Sequence, residues 1–188
     1  MSGINDTAYP QLRTEISDQD LISMFTPSAA ERRFIANAYS RATTQALIAV
    51  QLKMLQRLGY FVNLDDVPSA IIKHICKRYQ VQPFSAATLQ RYDQSGSKSL
   101  HQRLLREFVG LRLLDVGAQD WLEAEAVKAA QTKQELPDII NLLLEELVHH
   151  RYLLPGFATL SRIASRARVK VNDELYKHIS EALTEAQQ

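Results

Sequence analysis

The chain has 188 residues, 46% of them apolar, and a formal net charge of +1, which supplies a sizeable core and excludes disorder of the charged, core-poor kind. One cysteine, Cys76, excludes an intramolecular disulfide framework and a multi-cysteine zinc site, and suits a reducing cytoplasm. The polar, acidic start MSGINDTAYPQLRTEISDQD is no signal peptide and no apolar run approaches the ~20 residues of a membrane span, so a soluble protein is expected.

In chain order, Ile16, Leu21, Ile22, Met24 and Phe25 predict a short first helix or packed lead-in. Pro27, then Ser28 with Glu31 three residues on, form a capping-box signal for a helix from about Pro27 to Tyr39. Thr43 or Thr44 is expected to cap the next helix. Its many apolar positions (Leu47, Val50, Leu52, Met54, Leu55, Leu58) make it the central helix of the first half, closed by Gly59. On its polar side Lys53 and Arg57 lie one turn apart.

Asp65 and Asp66 precede Pro68, which opens a helix to Tyr79. Ile71, Ile72, Ile75, Cys76 and Tyr79 form its inner face and Lys73, His74, Lys77 and Arg78 its outer one. Val81 to Phe84 breaks the pattern and is the expected boundary between two subdomains, 1–82 and 83–188. A short helix near Ala86 to Tyr92 leads to a polar loop, Asp93 to Ser99. Ser97 or Ser99 then starts a helix to Val109, closed by Gly110, with Lys98, His101, Arg103 and Arg106 on its outer face. Further helices are expected near Ala118 to Gln131, Asp138 to Arg151, Phe157 to Val169 and, capped by Asn172, Asp173 to Ala186. Period-2 alternation never runs beyond about four residues, so the fold class is all-α.

Charge is distributed in blocks. Residues 1–31 carry net −4, 32–64 net +5, 73–112 net +6 and 113–148 net −6. Such segregation builds a basic face from a neutral total, unless the blocks pair with one another. Around the Pro155-Gly156 turn, His149 to Val171 holds Arg151, Arg162, Arg166, Arg168 and Lys170 with no acid, a candidate surface for a polyanion. Glu146 and His149 are only half of a helical di-metal motif, and no phosphate loop, nucleophile elbow or HExxH is present. The expectation is no enzyme active site, no metal and no cofactor.

Seven segments occur in the order seen in one family: Leu21 to Ser28 with Glu31; Ala46 to Tyr60; Val67-Pro68 with Ile72 and Ile75; Tyr92 with Lys98 and His101; Arg106 to Leu111; Trp121-Leu122; and Arg151 to Gly156 with Leu160, Arg162, Ile163, Ala167 and Arg168. Over about residues 20 to 170 the chain resembles the N-terminal region of the Tn-three family replicative transposases, the DDE transposases of cointegrate-forming bacterial transposons. Where that family has a denser arginine run before its histidine, this chain has Ser95 to His101, leaving Lys98 and His101.

The resemblance implies an all-α, two-part module that recognises terminal inverted repeats, an expressed fragment or truncated relative without the downstream catalytic domain. Implied partners are double-stranded DNA at transposon ends, the catalytic remainder of the transposase and, through the full-length protein, a second copy. The implied setting is the bacterial cytoplasm and nucleoid. The candidate DNA contacts are Arg41, Lys53 and Arg57 for the backbone, Lys98, His101, Arg103 and Arg106 for the groove, and Arg162, Arg166 and Arg168 for phosphates. The competing reading is a helical protein-interaction module that makes no direct DNA contact.

Overall fold

The computed structural model describes residues 3–12 and 15–186. Among these it is all-α, and the one β-type feature is an isolated parallel bridge between Arg112 and Tyr152. The chain divides into two compact units, Pro10–Leu111 and, together, residues 1–9 with Arg112–Gln188.

The unit Pro10–Leu111 contains α1 (Asp18–Phe25), α2 (Ala29–Ala38), α3 (Ala42–Leu58), α4 (Ser69–Arg78), α5 (Ala86–Asp93) and α6 (Gly96–Val109). The Ser28 hydroxyl accepts from the Glu31 amide and the Glu31 carboxylate from the Ser28 amide, so the capping box forms as its residues predict. α3 is the core helix. Ile48, Leu52, Met54, Leu55 and Leu58 are fully buried on several sides of it, each such burial contributing about 1.5–3 kcal/mol. Neither Thr43 nor Thr44 caps α3; the N-cap is Arg41, whose side chain makes no cap bond. Gly59 ends α3 in the left-handed region, φ 76°, and Gly110 ends α6 at φ 74°.

Two expectations in this unit are corrected. The boundary does not fall near residue 83: α5 and α6 pack with the preceding helices, Leu105 being fully buried and Phe34 of α2 stacking on Phe108 of α6 at 3.8 Å. The expected loop Asp93–Ser99 shrinks to two residues, because the Ser95 hydroxyl bonds the Tyr92 carbonyl and α6 begins at once at Gly96.

The other unit contains α7 (Val116–Thr132), α8 (Leu136–His149) and α9 (Phe157–Ala186). Leu122, Ile139, Ile140, Leu143, Leu147 and Leu160 form its core. Trp121 stacks on Tyr152 at 5.6 Å, and the Arg112 guanidinium lies 4.5 Å from the Tyr152 ring centroid. Arg151, at φ 56°, turns the chain out of α8 without a glycine. The two helices expected on either side of Asn172 are one 30-residue helix: from Phe157 to Ala186 the sequence has neither Pro nor Gly, so nothing stops propagation.

Candidate nucleic-acid interface

A contact to a phosphate backbone requires a cation that is exposed and not already neutralised. In the unit Pro10–Leu111, Arg41 at the start of α3, Arg57 in its last turn and Arg103 on α6 meet this condition. All three are exposed and form no ion pair among the described residues.

The other four candidates of this unit are engaged in the fold. Lys53 is 8% exposed; its ammonium lies 3.1 Å from both Glu31 carboxylate oxygens and donates to Gln56 at 2.9 Å. Burial by itself raises the Glu31 carboxyl, but the bonds from Ser28, Gln56 and Lys53 and the Lys53 charge outweigh it and hold the group below its ordinary value. Lys53 is therefore a core cation. His101 is 5% exposed, its Nδ1 sharing a 3.0 Å hydrogen bond with the Tyr92 hydroxyl and its ring meeting Tyr39 edge-on at 4.8 Å. Burial pushes its pKa down, so it sits there as a neutral ring.

Lys98 pairs with Asp93 at 2.9 Å and donates to Asn63 at 2.7 Å, tying α6 to α5 and to the chain before α4. Arg106 donates to the Leu111 carbonyl at 3.2 Å and lies 3.7 Å from Glu107, which fixes the chain beyond Gly110. The basic outer face expected for α6 thus reduces to Arg103.

α4 carries a further basic face. Ile71, Ile72, Ile75 and Cys76 turn inward, while Lys73 and Lys77, one turn apart, are exposed with Arg78 beside them and no ion-pair partner among the described residues. The His74 ring between them bonds the Thr26 hydroxyl at 2.8 Å. Burial lowers its pKa, the Arg78 and Lys77 charges lower it further, and Asp18 pulls the other way. Burial raises the Tyr79 hydroxyl to about 12, with Arg32 of α2 pulling it down and Glu31 pushing it up. The inward spacing of the isoleucines marks this face in the sequence.

In the unit of α7, α8 and α9, Arg162 and Arg166 are exposed and Arg168 is half-buried, none of them in an ion pair among the described residues. Pro10–Leu111 holds 13 Lys and Arg against 8 Asp and Glu, net +5, and the rest of the chain 9 against 13, net −4. The acidic block pairs locally where it pairs at all, Glu125 with Lys128 at 2.7 Å and Glu146 with His150 at 3.5 Å. Among the described residues no group of three or more His, Cys, Asp or Glu is placed to hold a metal, and no helix is long and apolar enough to cross a membrane.

Residues 1–167 match the family described as "Domain of unknown function (DUF4158)". The chain is 27% identical over 174 residues to the transposase for transposon Tn501 of Pseudomonas aeruginosa, a match covering 90% of this chain and 17% of that protein. It is 26% identical over 159 residues to the transposase for transposon Tn1546 of Enterococcus faecium, covering 81% of this chain and 15% of that protein. The chain therefore spans about a sixth of the length of these relatives.

Proposed function

The chain belongs to the DUF4158 family, and from that membership and its kinship with transposon transposases we propose that it is a DNA-binding module that recognises terminal inverted repeats for replicative transposition. The observation that carries this reading is the segregation of charge. The unit Pro10–Leu111 has a net charge of +5 and presents Arg41, Arg57, Lys73, Lys77 and Arg103 without acidic partners among the described residues. Exposed cations without acidic partners on three helices of a basic unit suit a polyanion far better than an apolar protein partner.

Within that reading α4 is the groove candidate. Its outer face carries Lys73, Lys77 and Arg78, and it is anchored by four buried apolar side chains, so it offers a rigid helix whose charge is of one sign. Arg41 and Arg57, at opposite ends of α3, and Arg103 on α6 supply backbone contacts. Arg162, Arg166 and Arg168 add phosphate contacts from α9, in a stretch that is locally basic although its unit is net −4. The chemistry of strand transfer belongs to the remaining length of a full transposase, and DNA ends and that remainder are the partners proposed.

A salt titration tests the electrostatic part. Duplex affinity measured by fluorescence anisotropy should fall linearly in log–log form, with a slope of about −0.9 per phosphate contact. A flat salt dependence would overturn the phosphate-contact reading and favour the protein-interaction alternative, for which the net −4 unit is the surface to examine.

A further inference from the structure

From Glu15 to Phe25 the ionised side chains are Glu15, Asp18 and Asp20, all negative, in a unit whose net charge is +5. Ser17 caps α1: its hydroxyl accepts from the Asp20 amide at 3.1 Å and donates to the Asp20 carboxylate at 2.9 Å. At the far end of α1, Phe25 is buried and the Thr26 hydroxyl bonds the His74 ring of α4 at 2.8 Å. These anchors fix α1 where it packs on both α3 and α4. Its carboxylates therefore have set positions and do not ride on a loose tail.

Those positions border the cations of the basic surface. Glu15 and Asp20 line one small cleft with Arg57 of α3, and no ion pair forms between them among the described residues. Asp18 acts on His74, which stands between Lys73 and Lys77 on α4, and its charge opposes those of Lys77 and Arg78 there. The macrodipole of α1 favours acids in its first turn, but Glu15 lies ahead of the helix. Negative charge set beside binding cations, yet not joined to them, weakens their attraction for a phosphate without taking them out of use.

Resting on the DNA-binding reading, we propose that Glu15, Asp18 and Asp20 are specificity-determining residues, which exclude sequence-independent placements of a duplex across α1 between Arg57 and the outer face of α4. A duplex seated by base contacts takes one register, and that register decides which cations its phosphates meet. A duplex without the recognised sequence binds as a sum of placements held by charge alone. A strip of negative charge bordering both sets of cations removes part of that sum. It costs the recognised duplex little and every other duplex more, so discrimination here works by repulsion.

Anisotropy titrations of the full chain with a labelled terminal inverted repeat and a scrambled duplex, at about 100 mM salt, test it. Glu15→Gln/Asp18→Asn, checked by circular dichroism for parental helicity, should bind the scrambled duplex about tenfold tighter and the repeat no more than about threefold tighter. Glu135→Gln/Glu145→Gln makes the same change of net charge at exposed positions of the other unit and should leave the ratio of the two affinities at its parent value. In an Arg57→Ala/Lys77→Ala background, Glu15→Gln/Asp18→Asn should lose most of its gain on the scrambled duplex. An unchanged ratio, an equal effect of Glu135→Gln/Glu145→Gln, or a full gain without Arg57 and Lys77 would overturn the proposal and leave DNA binding in place. A parent and a Glu15→Gln/Asp18→Asn variant that bind neither duplex would overturn the DNA-binding reading and this inference together.

Discussion

The Lys53 ammonium on α3 lies 3.1 Å from both carboxylate oxygens of Glu31, the residue that closes the capping box of α2. One carboxylate thus serves the Ser28 amide, Gln56 and Lys53 together, joining the start of α2 to the core helix. Lys53→Met leaves a buried carboxylate without its cation and should destabilise the chain by about 3 kcal/mol in urea denaturation at pH 7. The double change Lys53→Met/Glu31→Gln should recover part of this. Because the ammonium is not at the surface, Lys53→Met should leave the salt slope of duplex binding unchanged under conditions where the variant is folded.

Stability of the Pro10–Leu111 unit should fall as pH falls, in two windows. His101 and His74 have pKa values lowered from the ordinary 6.5, so the unfolded chain takes up their protons first. Their contribution is complete above about pH 6.5 and declines below it. Glu31 is lowered from 4.5, so its contribution is complete above that value and is lost as pH drops through its still lower value in the fold. Urea midpoints at pH 7.5 and 5.5 read the first window. His101→Phe should narrow the difference between them; an undiminished difference would assign it to His74 or other groups.

Gln80 holds φ 54° just beyond α4 and is exposed, a conformation that costs a non-glycine residue about 1 kcal/mol. Gln80→Gly should raise stability by a fraction of that amount. Gly110, at φ 74°, reverses the argument: Gly110→Ala should destabilise by about 1 kcal/mol. Thermal unfolding followed by circular dichroism checks both signs.

Lys73→Ala/Lys77→Ala should weaken duplex binding and reduce the magnitude of the salt slope by about two units, while Arg166→Ala should reduce it by about one. Arg103→Ala should weaken binding to every duplex alike and reduce the slope by about one. Anisotropy titrations over a salt series separate these effects. Parent-like slopes in all three variants would remove these helices from the interface.

The parts of the fold governed by local rules were legible in the sequence. The Ser28–Glu31 box, the glycine stops at Gly59 and Gly110 and the inner face of α4 each depend on a few neighbouring residues. The boundary at residue 83 was misplaced because Val81 to Phe84 is a local break, whereas the packing of Leu105 and Phe108 against earlier helices is long-range. Periodicity shows that Lys53, Lys98 and His101 are polar positions but not that Glu31, Asp93 and Tyr92 stand opposite them. Such partners lie from 5 to 22 residues away in sequence and become visible only when the chain is folded. Asn172 looked like a cap, but a long helix with no Pro or Gly simply passes through it.

The central claim is specific recognition of transposon ends. Its most direct test is fluorescence anisotropy with a labelled terminal inverted repeat and a scrambled duplex of equal length and composition, at about 50 and 200 mM salt. The account predicts tighter binding to the repeat at both salt concentrations, with both affinities falling steeply between them. Equal affinity for the two duplexes would contradict end recognition, and no binding to either would contradict a DNA-binding role.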